Sequence, residues 1–97
     1  MIKFKVTGET ITCTFPARVE TTVCMQYQAE VEPEVLNAGK PVVFDMKDTE
    51  YICSAFLRIC IAASQKLGKE KFSVIHTNSF VHKVFHVAGL ENLIRIS

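Results

Sequence analysis

The chain has 97 residues, of which 48% are hydrophobic and 22% charged, and a net charge of +1 with histidine neutral. That length predicts one domain over residues 1–97, and the charge balance leaves no basic footprint for nucleic acid or an anionic membrane. No apolar run approaches the roughly 20 residues that a membrane span needs.

Ile2, Phe4 and Val6 alternate with Lys3 and Lys5, which predicts a half-buried strand and not the apolar core of a signal peptide. Thr7-Gly8-Glu9 is a turn. Ile11, Cys13 and Phe15 then alternate with Thr10, Thr12 and Thr14, so the two runs read as an antiparallel hairpin. Pro16 ends the second strand. Thr21 or Thr22 can cap a helix whose apolar positions are Val23, Cys24, Tyr27 and Val31. Pro33 interrupts that helix, and Gly39 stops a short turn over 34–38.

Val42 to Phe44 is a continuous apolar run, read as a fully buried strand. Asp45, Lys47, Asp48 and Glu50 then bring the chain to solvent. From Ser54 the period changes. Phe56, Ile59, Cys60, Ala63 and Leu67 fall on one helical face, and the Ser54 hydroxyl can cap the helix at its positive pole, where an anion is favoured. Lys66, Gly68 and Lys69 end it. Phe72, Val74 and Ile75 mark a further strand. Thr77-Asn78-Ser79 caps a third helix with apolar face Phe80, Val81, Val84, Phe85 and Ala88, stopped by Gly89. Leu93, Ile94 and Ile96 form a short terminal element.

Strands joined by helices of about a dozen residues imply parallel pairing through right-handed crossovers. The sum is an α/β domain with a mixed sheet of four to five strands and three to four helices.

Catalytic chemistry finds little support. Cys53 lies near a helix start, where thiols can be reactive, but Arg58 follows after four residues with no intervening glycine. A phosphatase loop needs five, and glycines to cradle the phosphate. Asp45, Asp48 and Glu50 surround one loop, but alternating side-chain directions keep them from converging on a cation or a substrate. His82 and His86 have the i, i+4 spacing of metal ligands. They lack a third ligand, and Lys83 between them places them on a solvent flank. There is no phosphate-binding glycine loop and no nucleophile elbow. We expect no enzyme activity, cofactor or metal. Cys13, Cys24, Cys53 and Cys60 form no Cys-x-x-Cys pair and read as buried thiols of a reducing cytoplasm.

The stretch Val43-Phe44-Asp45, then Tyr51-Ile52-Cys53-Ser54-Ala55-Phe56-Leu57-Arg58, resembles the signature of STAS domains, the anti-sigma factor antagonist family. There a strand ending in Asp leads to Asp-Ser-Ser-Gly-Leu or a close variant at a helix start. Cys53 stands here for the Asp and Phe56 for the Gly. Ala17-Arg18-Val19-Glu20 loosely resembles the family's opening of its first helix, and Val84 to Ile96 resembles its ending. The resemblance implies a non-catalytic regulator that docks a kinase-like anti-sigma factor. Ser54 is the implied phosphorylation site, since the more usual acceptor aligns with Ala55. Thr49 is a second hydroxyl candidate. Asp48, Thr49, Cys53, Ser54, Ala55, Phe56 and Arg58 would form the docking stretch, beside the third helix, with Asp45 in support. Phe56 either turns inward, as its i, i+3 pattern favours, or adds an apolar contact to the partner. The altered motif also fits an unphosphorylated subunit of a lipid-transport or stress-signalling assembly.

Overall fold

A computed structural model describes residues 3–97. Strand β1 (Lys3–Thr7) and strand β2 (Thr10–Thr14) form the expected antiparallel hairpin, turning at Gly8 with φ +60°. Ile2 lies outside the described residues. Val6, expected to point inward, is 49% exposed. It sits on the outermost strand, where a side chain has a neighbour on one side only.

After β2 come β3 (Arg18–Val19), helix α1 (Thr21–Glu30), helix α2 (Glu32–Asn37) and β4 (Val42–Asp45). The cap of α1 is Glu20, whose side chain makes no cap bond to the helix, so neither Thr21 nor Thr22 caps it. Pro33 lies in the first turn of α2, where its missing N–H has no helical partner to lose. Then follow β5 (Tyr51–Ile52), α3 (Ser54–Leu67), β6 (Phe72–Ile75), α4 (Ser79–Val87), a 3₁₀ turn over Leu90–Asn92, and β7 (Arg95–Ile96).

Five strands form a sheet in the order β1-β2-β4-β6-β7, parallel except for β1 against β2. The mixed sheet is therefore as expected. A second sheet of two short strands, β3 and β5, was not.

One core lies between the sheet and the helices. Cys13, Phe44, Phe72 and Val74 from the strands, with Phe15 just past the end of β2, meet Tyr27, Phe56, Cys60, Val81 and Phe85 from the helices. Phe44 is its hub, meeting the rings of Phe72, Phe15, Tyr27 and Phe56, the first two centred 4.8 and 4.9 Å away. Alternate strand residues, including Thr12, Val43, Ser73 and Ile75, face the other way and are only half-buried. Val42 to Phe44 is thus covered on one face and not on both. The helices all pack into one cluster, so among the described residues no layer covers the far face of the sheet.

Candidate functional site

The site is built where β4 ends. Asp45 is 8% exposed, and its carboxylate accepts the Lys47 N–H at 3.0 Å. It also lies 2.9 Å from the His76 Nδ1. His76 follows β6 directly, one residue past Ile75, the register partner of Asp45, and holds φ +58°. A non-glycine residue adopts that left-handed conformation only where its surroundings fix it. The Asp45–His76 contact ties the ends of the two central strands together under the loop.

Thr49 is the loop's inner latch. It is 2% exposed, and its hydroxyl donates to the carbonyls of Pro16 at 3.0 Å and Phe15 at 3.4 Å. Its own carbonyl accepts from Asn78 Nδ2 at 3.2 Å, while Asn78 Oδ1 caps α4 by accepting the Val81 N–H at 2.7 Å. Of the expected capping stretch Thr77-Asn78-Ser79, Asn78 is the cap of that helix. Thr49 belongs to the interior and cannot be a surface hydroxyl. Removing it, as in Thr49→Val, leaves a buried carbonyl unpaired. We expect a loss of about 1–2 kcal/mol in urea unfolding; a midpoint unchanged from wild type would contradict the latch.

The chain next reaches β5. Glu50 and Tyr51 donate their N–H groups to the Ala17 carbonyl at 2.7 and 3.0 Å, and Ile52 pairs with Val19. On the outside, the Arg18 guanidinium lies 4.9 Å over the Tyr51 ring, and Tyr51 stacks on Phe80 of α4 at 6.1 Å. The sequence reading placed neither Arg18 nor Tyr51 in the site. Two-residue strands carry too little periodicity to show.

Cys53, not Ser54, is the cap of α3. It is the last extended residue, with φ −113° and ψ 172°, and it makes no side-chain cap bond. Ser54 is the first helical residue and is exposed. The first-turn N–H groups of α3 thus have no side-chain acceptor, the condition under which a helix start favours an anion. The expected docking residues then separate. Asp48, Ser54 and Arg58 are exposed, Cys53 and Ala55 are half-buried, and Thr49 and Phe56 are interior. Phe56 is 0% exposed, between Phe15 and Phe85, so it cannot touch a partner.

Helix α4 differs from its predicted face. Val81 and Phe85 are buried, but Phe80 is 49% exposed and Ala88 is exposed too. Phe80, Val84 and Ala88 form one i, i+4 row beside the buried one. With Leu57, Lys83 and Val87 they line an open depression of about 430 Å³ against α3. A nine-residue helix with so wide an apolar arc buries only part of it.

His82 and His86 both turn to Glu91. His82 Nε2 is 3.3 Å from one carboxylate oxygen, and His86 Nδ1 contacts the other. The hydrogen bond from His86 holds the Glu91 carboxyl below its usual range. Among the described residues no group is arranged to hold a metal ion, and no helix is long and apolar enough to cross a membrane.

Three cysteines are buried as expected, and Cys53 is half-buried. Burial pushes the Cys13 thiol up to about 12 and raises Cys60 well above its ordinary value. Cys24 is likewise pushed to about 12, by burial first and then by the Cys53 sulfur, which lies 3.9 Å away.

No protein-family model and no curated protein match this sequence. Solved structures do. The unphosphorylated form of the anti-sigma factor antagonist SpoIIAA superimposes with a TM-score of 0.80 at 15% identity, over 100% of this chain and 88% of that one. The phosphorylated form of SpoIIAA, a Bacillus cell fate determinant, gives 0.75 at 14% identity, over 100% and 91%. An anti-sigma-factor antagonist (STAS) domain protein from Planctomyces limnophilus gives 0.79 at 16% identity, over 99% and 87%. With TM-scores of 0.75 to 0.80 over 99% or more of its length, the chain has the STAS fold, the one these anti-sigma factor antagonists share.

Proposed function

We propose that this protein is a non-catalytic regulator. It docks a kinase-like anti-sigma factor through the 48–58 loop and helix start together with the adjoining row of α4, and phosphorylation of Ser54 switches that docking off. The observation that carries this is the position of Ser54. Thr49 is interior, so Ser54 is the one aliphatic hydroxyl of that stretch open to solvent, at the start of α3. The neighbouring surface supports it: an apolar strip of Leu57, Phe80, Val84 and Val87 beside the Arg18–Tyr51–Phe80 stack and Arg58. An apolar centre with an arginine and aromatic rim is the composition of a protein interface. One of the similar structures is a protein solved with and without its phosphate. A phosphate on Ser54 would add about −1.5 to −2 charges. Beside that apolar strip it disrupts a docked partner by charge and desolvation.

The test incubates the chain with a kinase-like partner and ATP and maps phosphate by mass spectrometry. We expect phosphate on Ser54, none on Ser54→Ala, and partner affinity at least roughly tenfold weaker for Ser54→Asp, a loss of about 1.4 kcal/mol. Phosphate confined to other residues, or unchanged affinity for Ser54→Asp, would reject the switch.

A second reading keeps the docking face and drops the phosphate. Cys53 and the fully buried Phe56 stand where the resembled motif has Asp and Gly, which fits a constitutive subunit of a lipid-transport or stress-signalling assembly. Co-purification with such an assembly, and with no kinase-like protein, would favour it.

A further inference from the structure

The Cys24–Cys53 pair is a thiol cluster that the docking reading leaves unused. Its two sulfurs are 3.9 Å apart, across the contact between α1 and the start of α3. The residues are 29 positions apart in sequence. A disulfide needs sulfurs about 2.05 Å apart, so they must close by a little under 2 Å. Cys53 can supply much of that. It is an extended residue outside the helix, and its side chain is held by no cap bond. The other two cysteines are fully buried on the core side, with 0% exposure each.

We propose that Cys24 and Cys53 are an oxidation site, joined into an intramolecular disulfide by hydrogen peroxide, and that this bond clamps α1 to the first turn of α3. The half-buried Cys53 meets the oxidant first. Its sulfur attacks the peroxide O–O bond and becomes a sulfenic acid, and the departing oxygen leaves as water with the thiol proton. The Cys24 sulfur, giving up its proton, then attacks the Cys53 sulfur. The S–O bond breaks, and its oxygen leaves as a second water with the Cys24 proton. Two thiols are oxidised, and one peroxide is reduced to two waters.

The bond fixes the residue directly before Ser54. Any effect on docking rests on the function proposed above; the cross-link itself does not, and it is measured without a partner.

The folded full chain is treated with hydrogen peroxide, unfolded, alkylated and cut with trypsin without reduction. Cleavage after Arg18, Lys47 and Arg58 places Cys24 and Cys53 on separate peptides, 19–47 and 48–58. The expected product is those two peptides joined, two hydrogens lighter than their sum, with Cys13 and Cys60 alkylated. Oxidised wild type should melt roughly 10 °C above the reduced protein. Cys24→Ala should gain nothing and accumulate sulfinic acid on Cys53. Cys53 overoxidised in wild type with Cys24 still free, a bond from Cys24 to Cys60, or a bond between two copies of the chain would overturn the proposal. A cross-link with no rise in melting temperature would overturn the clamp.

Discussion

Phe56→Gly should come close to unfolding the protein. The substitution installs the residue that the resembled motif carries at this position, so on sequence alone it looks restorative. In the structure Phe56 is wholly buried and packs on Phe15, Phe44 and Phe85. Truncating a buried phenylalanine costs about 3–5 kcal/mol, and glycine in a helix adds about 1 more. The sum, roughly 4–6 kcal/mol, approaches or exceeds the stability of many domains, about 5–15 kcal/mol. Guanidinium unfolding followed by circular dichroism measures it. Phe56→Leu serves as the control that keeps most of the volume and should cost under about 1.5 kcal/mol. Near-wild-type stability in Phe56→Gly would mean that the ring lies outside the core.

The second large effect is alkaline unfolding. Cys13 and Cys24 are each pushed from 9.0 up to about 12 in the folded chain, by burial first in both cases. Cys60, fully buried, is raised well above 9.0. The folded state therefore holds these protons more tightly than the unfolded chain does. Their contribution is complete below pH 9 and is lost as pH rises from 9 towards 12, because only the unfolded chain can ionise there. Each such thiol removes about 1.4 kcal/mol per pH unit within that window. Cys13 and Cys24 alone should cost roughly 3 kcal/mol per pH unit, enough to unfold an ordinary domain before pH 12. The measurement is the free energy of unfolding against pH between about 9.5 and 11, with Cys13→Ala alongside. The variant's slope should be shallower by about 1.4 kcal/mol per pH unit. Identical slopes would sink the assignment of the alkaline loss to buried thiols.

Both effects come from a core that half of the site shares. Thr49 and Phe56 belong to the stretch that would meet a partner, yet their side chains serve the interior. What remains at the surface is narrow: Asp48, Ser54, Arg58 and the row on α4. A partner would read that strip and not the whole motif. The oxidation site lies just beneath it, with Cys53 between core and solvent.

Periodicity alone determined most of the fold. The alternation around Ile11, Cys13 and Phe15 and the helical face from Phe56 to Ala63 each fix which side chains leave water. Burial of apolar surface is local enough in sequence to be read there. Punctuation was equally legible, since Gly8, Gly39, Gly68 and Gly89 all hold positive φ where an element ends. Tertiary packing decided the rest. That Val43 faces an uncovered side depends on where every helix docks, which no single strand encodes. Phe80 and Ala88 fell outside the core because α4 presents the row of Val81 and Phe85 to it. The strands β3 and β5 exist only as each other's partners. Cys53 displaced Ser54 as the cap because a boundary of one residue follows from backbone pairing upstream, at Ile52 with Val19. The contacts Asp45–His76, Thr49–Asn78 and Cys24–Cys53 span about 30 residues each. Pairs so distant meet only once the sheet has formed, so the chemistry they permit was invisible in the linear chain.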